Sequence, residues 1–346
     1  MTSIEERCEI IAVSGATDEA WHAIRATGFG GSDIAAMVGA SIYTSALQLF
    51  AEKTKLIPRG EIDNEAIRWG NRLERPIAEQ FAEDTGYALV EWPVTLRLKS
   101  HPWMLANLDF LRVTPNADFP AGQVTMRRGI VPPEGILAIV EIKSSGIVGF
   151  GTGHHWGDDD DPKIPIGYEL QCRHYELVSG IREAYLVGLL GGRGLTIRNI
   201  PWDDDYSEYL LDVESRFWND HILTGIPPEP DGSESAKETL DALYPVGDAD
   251  IEIEGGSKLE LLWADLETAK DVFTRAEAEK KRLRAQIVSI VGNAAYATVR
   301  GQRILSYKNS QDSDYFNEKK FAIENPAIYA KYVSKKPGFR TLRAAK

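Results

Sequence analysis

The segment ILAIVEIKSS, residues 136 to 145, is a β-branched, apolar run of strand length that nevertheless carries Glu141 and Lys143. Side chains alternate across a strand, so residues two apart share a face, and this carboxylate and ammonium point at one site. Neither is cheap to bury alone, which leaves pairing, metal binding or the flank of a cleft. Taken by itself the pair reads as a salt bridge at a strand end. A second acid, Asp109, lies in HPWMLANLDFLRV among Leu105, Leu108, Phe110, Leu111 and Val113, another short strand-like run. Asp109 brought beside Glu141 would make a two-carboxylate site for Mg²⁺, a hard ion that prefers oxygen ligands and keeps several waters. Lys143 would then orient one of those waters or help deprotonate it.

Helices have to complete such a site. EAIRWGNRLERPIAEQF reads as a helix on which Ile67, Gly70, Glu74, Ile77, Ala78 and Phe81 share a face, so Glu74 interrupts an apolar stripe. Glu74 is either a solvated acid at the stripe's edge, with Pro76 breaking the helix there, or a third acid of the same site. The two other buried acids favour the second reading. PIGYELQCRHYELVSG reads as a helix closing at Gly180, with Tyr168, Gln171 and Tyr175 on one face. That face can line a cleft, and it equally suits an ordinary half-buried helix. Further upstream, in RATGFGGSDIAAMVG, Gly30 and Gly31 precede Ser32, which reads as an N-cap opening a helix with free N–H groups and a positive dipole end. With Arg25 nearby, such a start can hold a phosphate.

The chain has 346 residues, 43% apolar and 26% charged, which is ordinary for a globular protein of one large domain with an appendage or of two domains. No apolar run approaches the roughly 20 residues of a membrane span, and the first residues lack the blocks of a secretory signal, so a cytoplasmic location is expected. Two cysteines, Cys8 and Cys172, are too few for a disulfide framework or a thiolate metal cluster. The formal net charge of −13 is unevenly spread: residues 280 to 346 hold fifteen Lys or Arg against four acids, a local +11, and the preceding residues carry −24. A Debye length of about 8 Å at physiological salt lets a polyanion approach the basic end without feeling distant acids.

A mixed α/β region therefore spans residues 1–228, a Pro- and Gly-containing linker 229–254, and an extension 255–346. Within the extension, Leu259, Leu262, Leu266, Ala269, Phe273, Ala276, Lys280, Leu283, Ile287 and Ile290 alternate three and four apart, a heptad seam bounded by Gly255 and Gly292. A hairpin turning at Arg300-Gly301 and a short basic helix over 327–334 follow. His154-His155 with Asp158 to Asp161 reads as a solvated loop, Asp203 to Asp205 as a turn and helix cap, and Cys172 as a small buried residue.

These blocks, in this order, resemble the YqaJ-type viral recombinases, phage exonucleases related to lambda exonuclease within the PD-(D/E)xK nuclease superfamily. The resemblance covers roughly residues 20 to 225 and rests on R…GFGGSD, WGNRLE, HPWMLANLD, VEIKSS and W…IPIGYELQCRHYELVSG, with Trp156, Pro165, Tyr168 and Gln171 in the places the family favours. It implies an α/β (α+β) restriction-endonuclease-like core, a central mixed sheet flanked by helices, followed here by the long helix and a small basic α+β tail. It implies a Mg²⁺-dependent 5′-to-3′ exonuclease, with Mn²⁺ as a substitute ion, acting on double-stranded DNA ends to leave 3′ overhangs. It also implies partnership with a single-strand annealing protein in the cytoplasm of a bacterial host, and a ring-like homo-oligomer such as a trimer. Carried over, Asp109, Glu141 and Glu74 are the metal carboxylates, Lys143 the catalytic lysine and Gln171 the helix residue beside it, while Arg25 and Ser32, with Tyr168, hold DNA and its terminal phosphate. The sequence departs from the family at Phe110, where glycine is common, and in two insertions, residues 114–135 and 146–163. An endonuclease of the same superfamily and an inactive DNA-binding scaffold are the alternatives, and the complete set of acids with the lysine counts against the second.

Overall fold

The computed structural model describes residues 3–12, 23–58, 65–145, 156–157, 162–192, 194–246, 251–335, 340 and 342–343. The chain divides into two compact units, Met1–Pro245 and Val246–Lys346. The elements of the first are α1 (Ile4–Arg7), β1 (Cys8–Ala12), α2 (Gly31–Met37), α3 (Ala46–Lys53), α4 (Glu65–Thr85), β2 (Ala88–Glu91), β3 (Val94–Leu98), β4 (Leu105–Asn107), β5 (Phe110–Val113), β6 (Val124–Met126), β7 (Ile136–Ser145), α5 (Ile166–Ser179), β8 (Glu183–Leu190), β9 (Leu195–Pro201), α6 (Asp204–Arg216) and α7 (Glu234–Leu243). Six strands form a mixed sheet in the order β6-β2-β5-β7-β8-β9, and β1, β3 and β4 form a smaller antiparallel sheet. The large sheet pairs β7 with β8 and β2 with β6 in parallel and is otherwise antiparallel. This is the expected central mixed sheet flanked by helices.

The alternation along β7 separates two cores. Val140 and Ile142 face a cluster containing Ile77, Ala78, Phe81 and Ala82 of α4, whereas Ile139 joins the larger cluster containing Leu170, Cys172 and Val178 of α5. Glu141, in register with Ile139, thus points toward α5. That helix is enclosed on all sides: every residue from Leu170 to Ser179 is buried, polar ones included. Its polar groups find partners across the fold, as burial requires. His174 sits between Glu214 of α6, 2.8 Å from Nδ1, and the Leu105 carbonyl of β4, 2.8 Å from Nε2. Burial works against a charge on His174, but the Glu214 carboxylate and these two bonds raise its pKa above the ordinary value.

Two expectations change. Pro76 does not end the helix: α4 runs unbroken through it, because Ile77, Ala78 and Phe81 beyond the proline are buried on the same sheet face, so packing outweighs one missing bond. The stretch expected to be a linker contains α7, whose Ser233 caps it and whose Ser235 hydroxyl accepts from the Ser45 N–H at 2.8 Å and donates to Gln48 at 2.6 Å, docking it on α3. The Asp203 cap is as expected, its carboxylate accepting from the Tyr206 N–H at 2.9 Å. His154, His155 and Asp158 to Asp161 lie outside the described residues.

The second unit holds α8 (Gly256–Val291), the hairpin β10 (Tyr296–Val299) and β11 (Gln302–Ser306), α9 (Glu318–Glu324) and α10 (Pro326–Tyr332). Positive φ at Arg300 and Gly301, 50° and 80°, makes the two-residue turn that matches strand twist. Tyr296, Tyr307, Tyr315, Phe316 and Tyr332 are exposed, so most of the tail's aromatics do not form a core.

One glycine is dictated by backbone approach. A Cβ on Gly28 would lie 2.1 Å from the Trp103 carbonyl oxygen, beside the bridge between Phe29 and Met104 that ties the start of α2 to β4. Gly28→Ala should therefore lower the stability of the chain by about 2 kcal/mol, read as a lower midpoint in urea unfolding. An unchanged midpoint would mean that this loop yields freely.

Candidate active site

Strand register brings the two central acids together. Phe110 pairs with Val140 and Leu111 with Ile139, which sets Asp109, one residue before β5, at the level of Glu141. Asp109 Oδ2 accepts a hydrogen bond from the Ile142 N–H at 2.9 Å. Lys143 Nζ donates to Glu141 Oε1, and Gln171 Nε2 donates to the same oxygen at 2.6 Å. The other Gln171 amide hydrogen reaches the Tyr175 hydroxyl at 3.0 Å. Tyr168 lies beneath Lys143, its ring centroid 5.3 Å from Nζ, a distance that supports the cation on a π face. Glu141 Oε2 is buried and has no hydrogen-bond partner among the described residues.

These charges perturb one another strongly. Burial, reinforced by the Asp109 charge, pushes the Glu141 carboxyl up to about 8, and Lys143 opposes the shift without cancelling it. Burial likewise raises Asp109, against the pull of Lys143 and the Ile142 N–H. Glu74, on α4, is raised to about 7 by burial and by Asp109. Lys143 is held in its charged form, since Glu141 and Asp109 outweigh its own burial. A cluster with more buried carboxylates than cations suits a cation more than a closed salt bridge.

The donor set is all oxygen, which fits Mg²⁺ or Mn²⁺. Among the described residues no three His, Cys, Asp or Glu side chains converge as a ready-made cage. Glu74 approaches from α4, whose apolar residues pack on the sheet face opposite the one that carries Gln171, and it reaches Asp109 through its charge. Asp109 and Glu141 are thus the pair placed to hold a hard ion that keeps several waters, with Glu74 beside them.

The other sequence candidates fall on α2 and its approach. Arg25 Nη2 donates to Ser32 Oγ at 3.0 Å, so the two residues do meet. Ser32 is not the N-cap, however. Gly30 holds that position in extended conformation, and Asp33 reaches back to its N–H at 3.0 Å, with Lys53 Nζ 2.8 Å from the Asp33 carboxylate. The cap is closed by a buried ion pair, which leaves the Ser32 hydroxyl to Arg25. Gly31 is the contact that sequence reasoning missed: a Cβ there would lie 2.7 Å from the Tyr175 ring and 2.8 Å from Gln171 Cγ. The helix bearing Arg25's partner is thus pressed against the two residues that steady Glu141. A pair of glycines signals close approach, but it does not say to what.

Residues 20–182 match the YqaJ-like viral recombinase domain. Along 349 aligned positions the chain is 28% identical to the uncharacterized protein YqaJ of Bacillus subtilis (strain 168), covering 98% of each. It is 39% identical over 70 residues to a protein of African swine fever virus (strain Badajoz 1971 Vero-adapted), 19% of this chain and 20% of that one. Among solved structures, LHK-Exo, an alkaline exonuclease from Laribacter hongkongensis, superposes with a TM-score of 0.45 at 18% identity over 60% of this chain and 93% of that one. A phage related exonuclease from Haemophilus somnus 129PT gives 0.38 at 14% identity, over 57% and 96%.

Glutamates that ionise near pH 4.5 in the unfolded chain but near 8 and 7 when folded, as Glu141 and Glu74 do, favour the folded state at low pH and penalise it as pH rises through that window. The metal-free protein should therefore melt at a lower temperature at about pH 8.5 than at about pH 6, and added Mg²⁺ or Mn²⁺ should raise the melting temperature more at the higher pH. Glu141→Gln should raise the metal-free value at high pH and diminish the metal response. A metal response in this variant equal to the parent's would remove Glu141 from the ion's ligands.

Proposed function

We propose that this chain, whose residues 20–182 carry a YqaJ-like viral recombinase domain homologous to YqaJ of Bacillus subtilis, is a phage-type, Mg²⁺-dependent exonuclease that digests linear double-stranded DNA from its 5′ ends. The observation that carries the reading is the convergence of Asp109, Glu141 and Lys143 from two neighbouring strands, with Gln171 tethering the Glu141 carboxylate. A single structural salt bridge with Lys143 would not require a second buried acid, Asp109, at the level of Glu141.

In this reading Asp109 and Glu141 would hold the ion, and Glu74 would add negative charge beside Asp109. When bound, Mg²⁺ supplies charge neutralisation at the scissile phosphate and makes water acidic enough to attack it at neutral pH. Lys143 Nζ, kept protonated, orients the attacking water and balances charge as the phosphodiester bond breaks. Gln171 fixes Glu141 Oε1, and the carboxylate's other oxygen would be the one available to an ion. Tyr168 supports Lys143 from below. No covalent intermediate is required, since water displaces the leaving oxygen.

Polarity is assigned to Arg25 and Ser32, which meet beside the start of α2 and can grip a terminal phosphate through a guanidinium fork and a hydroxyl. The basic tail supplies a second hold on DNA. Tyr296 is flanked by Arg303 and Lys308, 3.8 and 4.5 Å from its ring centroid, and the exposed rings beyond it are of a kind that stacks on bases. The 3′ strands left by this activity are the substrate of a single-strand annealing protein, the partner proposed here.

Linear duplex with Mg²⁺ should be degraded, and closed circular duplex and EDTA-treated reactions should not. Asp109→Asn, Glu141→Gln and Lys143→Ala should each lower the rate on the order of a hundredfold or more while DNA binding persists. Cleavage of closed circles would favour the endonuclease reading, and no cleavage of any duplex with retained binding would favour a scaffold.

Separately, 5′-phosphorylated ends should be digested faster than 5′-hydroxyl ends by the parent, and Arg25→Ala should erase that difference. Equal rates in the parent, or a preference that survives the substitution, would remove this pair from end recognition.

A further inference from the structure

Lys53 is a buried cation that the proposed chemistry leaves unused. It ends α3, a place where a lysine commonly extends into water and complements the helix dipole, yet its side chain is only 6% exposed. Taking an ammonium out of water is costly unless its donors find acceptors and its charge finds an opposite one. Lys53 Nζ meets three oxygens: the Asp33 carboxylate at 2.8 Å, the Arg25 carbonyl at 3.0 Å and the Gly28 carbonyl. All three belong to the segment that brings Arg25 to Ser32.

Two of these contacts fix backbone. Beyond Gly28 the segment is fastened to β4, since the Phe29 N–H donates to the Trp103 carbonyl at 2.6 Å and the Phe29 carbonyl accepts from the Leu105 N–H at 2.8 Å. Ahead of Gly28 the Thr27 hydroxyl receives a longer bond, 3.4 Å, from Arg97, and the Arg25 and Gly28 carbonyls converge on Lys53. One ammonium thus ties both ends of the turn Arg25–Gly28 and holds the backbone from which the Arg25 side chain leaves.

The third contact sets charge. Asp33 follows Ser32 directly and is buried; burial works against its charge, but Lys53 first and Arg25 second hold its carboxyl below the ordinary value. Arg25 therefore feels this carboxylate. Without Lys53, Asp33 would draw the Arg25 guanidinium toward itself and repel a phosphate dianion. With Lys53 in place, Asp33 is neutralised and Arg25 Nη2 donates to Ser32 Oγ at 3.0 Å.

We propose that Lys53 is a positioning residue for recognition of the terminal phosphate: by pinning the Arg25 and Gly28 carbonyls and neutralising Asp33, it keeps the Arg25 fork set for a phosphate. It acts through Arg25 and does not touch the phosphate itself. The inference rests on the reading of Arg25 and Ser32 as the phosphate grip. An ion pair that served stability alone would need Asp33 and no tie to the Arg25 backbone.

The test compares digestion of linear duplexes carrying 5′-phosphate or 5′-hydroxyl ends by the full chain with Mg²⁺. Lys53→Met keeps the length of the side chain and removes its charge and donors. It should abolish the preference for phosphorylated ends, and the loss should appear as a raised KM for those ends rather than as a lowered kcat. Loss of stability alone would slow both kinds of end alike and leave their ratio unchanged. Because Lys53→Met strands a buried carboxylate, a change that can unfold a chain, a second variant adds Asp33→Asn to remove the stranded charge. This double variant should show part of the parent's preference, since the repulsion is gone while the carbonyl ties are still missing. Circular dichroism establishes which variants fold. A ratio in Lys53→Met equal to the parent's, or an undiminished ratio in the double variant where it alone folds, would overturn the inference, and a parental preference erased by Arg25→Ala would then leave the phosphate reading standing. A parent with no preference would overturn that reading and this inference with it.

Discussion

Everything in the first unit is arranged around an unfavourable act, the burial of several carboxylates beside a single lysine. Two unit charges a few ångströms apart repel strongly in a medium of low dielectric, and here Asp109 and Glu141 share one level of adjacent strands. A fold that had only to be stable would put apolar residues there. The energy to hold the arrangement comes from its surroundings: apolar clusters on both sheet faces, an enclosed helix α5, and strand pairing that fixes Asp109 and Glu141 before their charges are considered. The same burial, with the neighbouring acids, raises the pKa values of Glu141 and Glu74.

Legibility in the sequence followed the range of the interaction that makes each feature. The shared face of Glu141 and Lys143 follows from strand alternation alone, and the heptad seam, the Arg300-Gly301 hairpin and the Asp203 cap are equally local. Asp109 was legible as a misfit in an apolar run, although which strand it joins is a matter of sheet order. Glu74 stood out from its stripe because the helix has one buried side. Features that depend on two distant segments were not legible. Gly31 meets Gln171 across 140 residues, His174 meets Glu214 on another helix, and α7 docks through Ser235 on Ser45 and Gln48. The Ser32 cap failed for a related reason, since Asp33 wins the cap with the help of Lys53, a residue twenty positions away on α3.

The cluster of acids and the Arg25–Ser32 pair are structurally connected. The loop and helix that bring Arg25 to Ser32 press through Gly31 onto Tyr175 and Gln171, and Gln171 holds the Glu141 carboxylate. A shift of that helix start reaches Glu141 through one tightly packed side chain, that of Gln171. In the proposed reading, a phosphate held by Arg25 and Ser32 would bear on the same helix that packs against Gln171.

The parallel pairing of β7 with β8 has a kinetic side. Parallel strands cannot be joined by a tight turn, and the connection between these two contains α5 itself, so Gln171 reaches Glu141 only when a crossover of some forty residues has closed. Asp109 and Glu141 are likewise brought together across an insertion. Such contacts are far apart along the chain, and loop closure has to precede their reward, so folding of this unit belongs among the slower topologies. The time from ribosome to folded first unit is then set by chain topology as well as by synthesis.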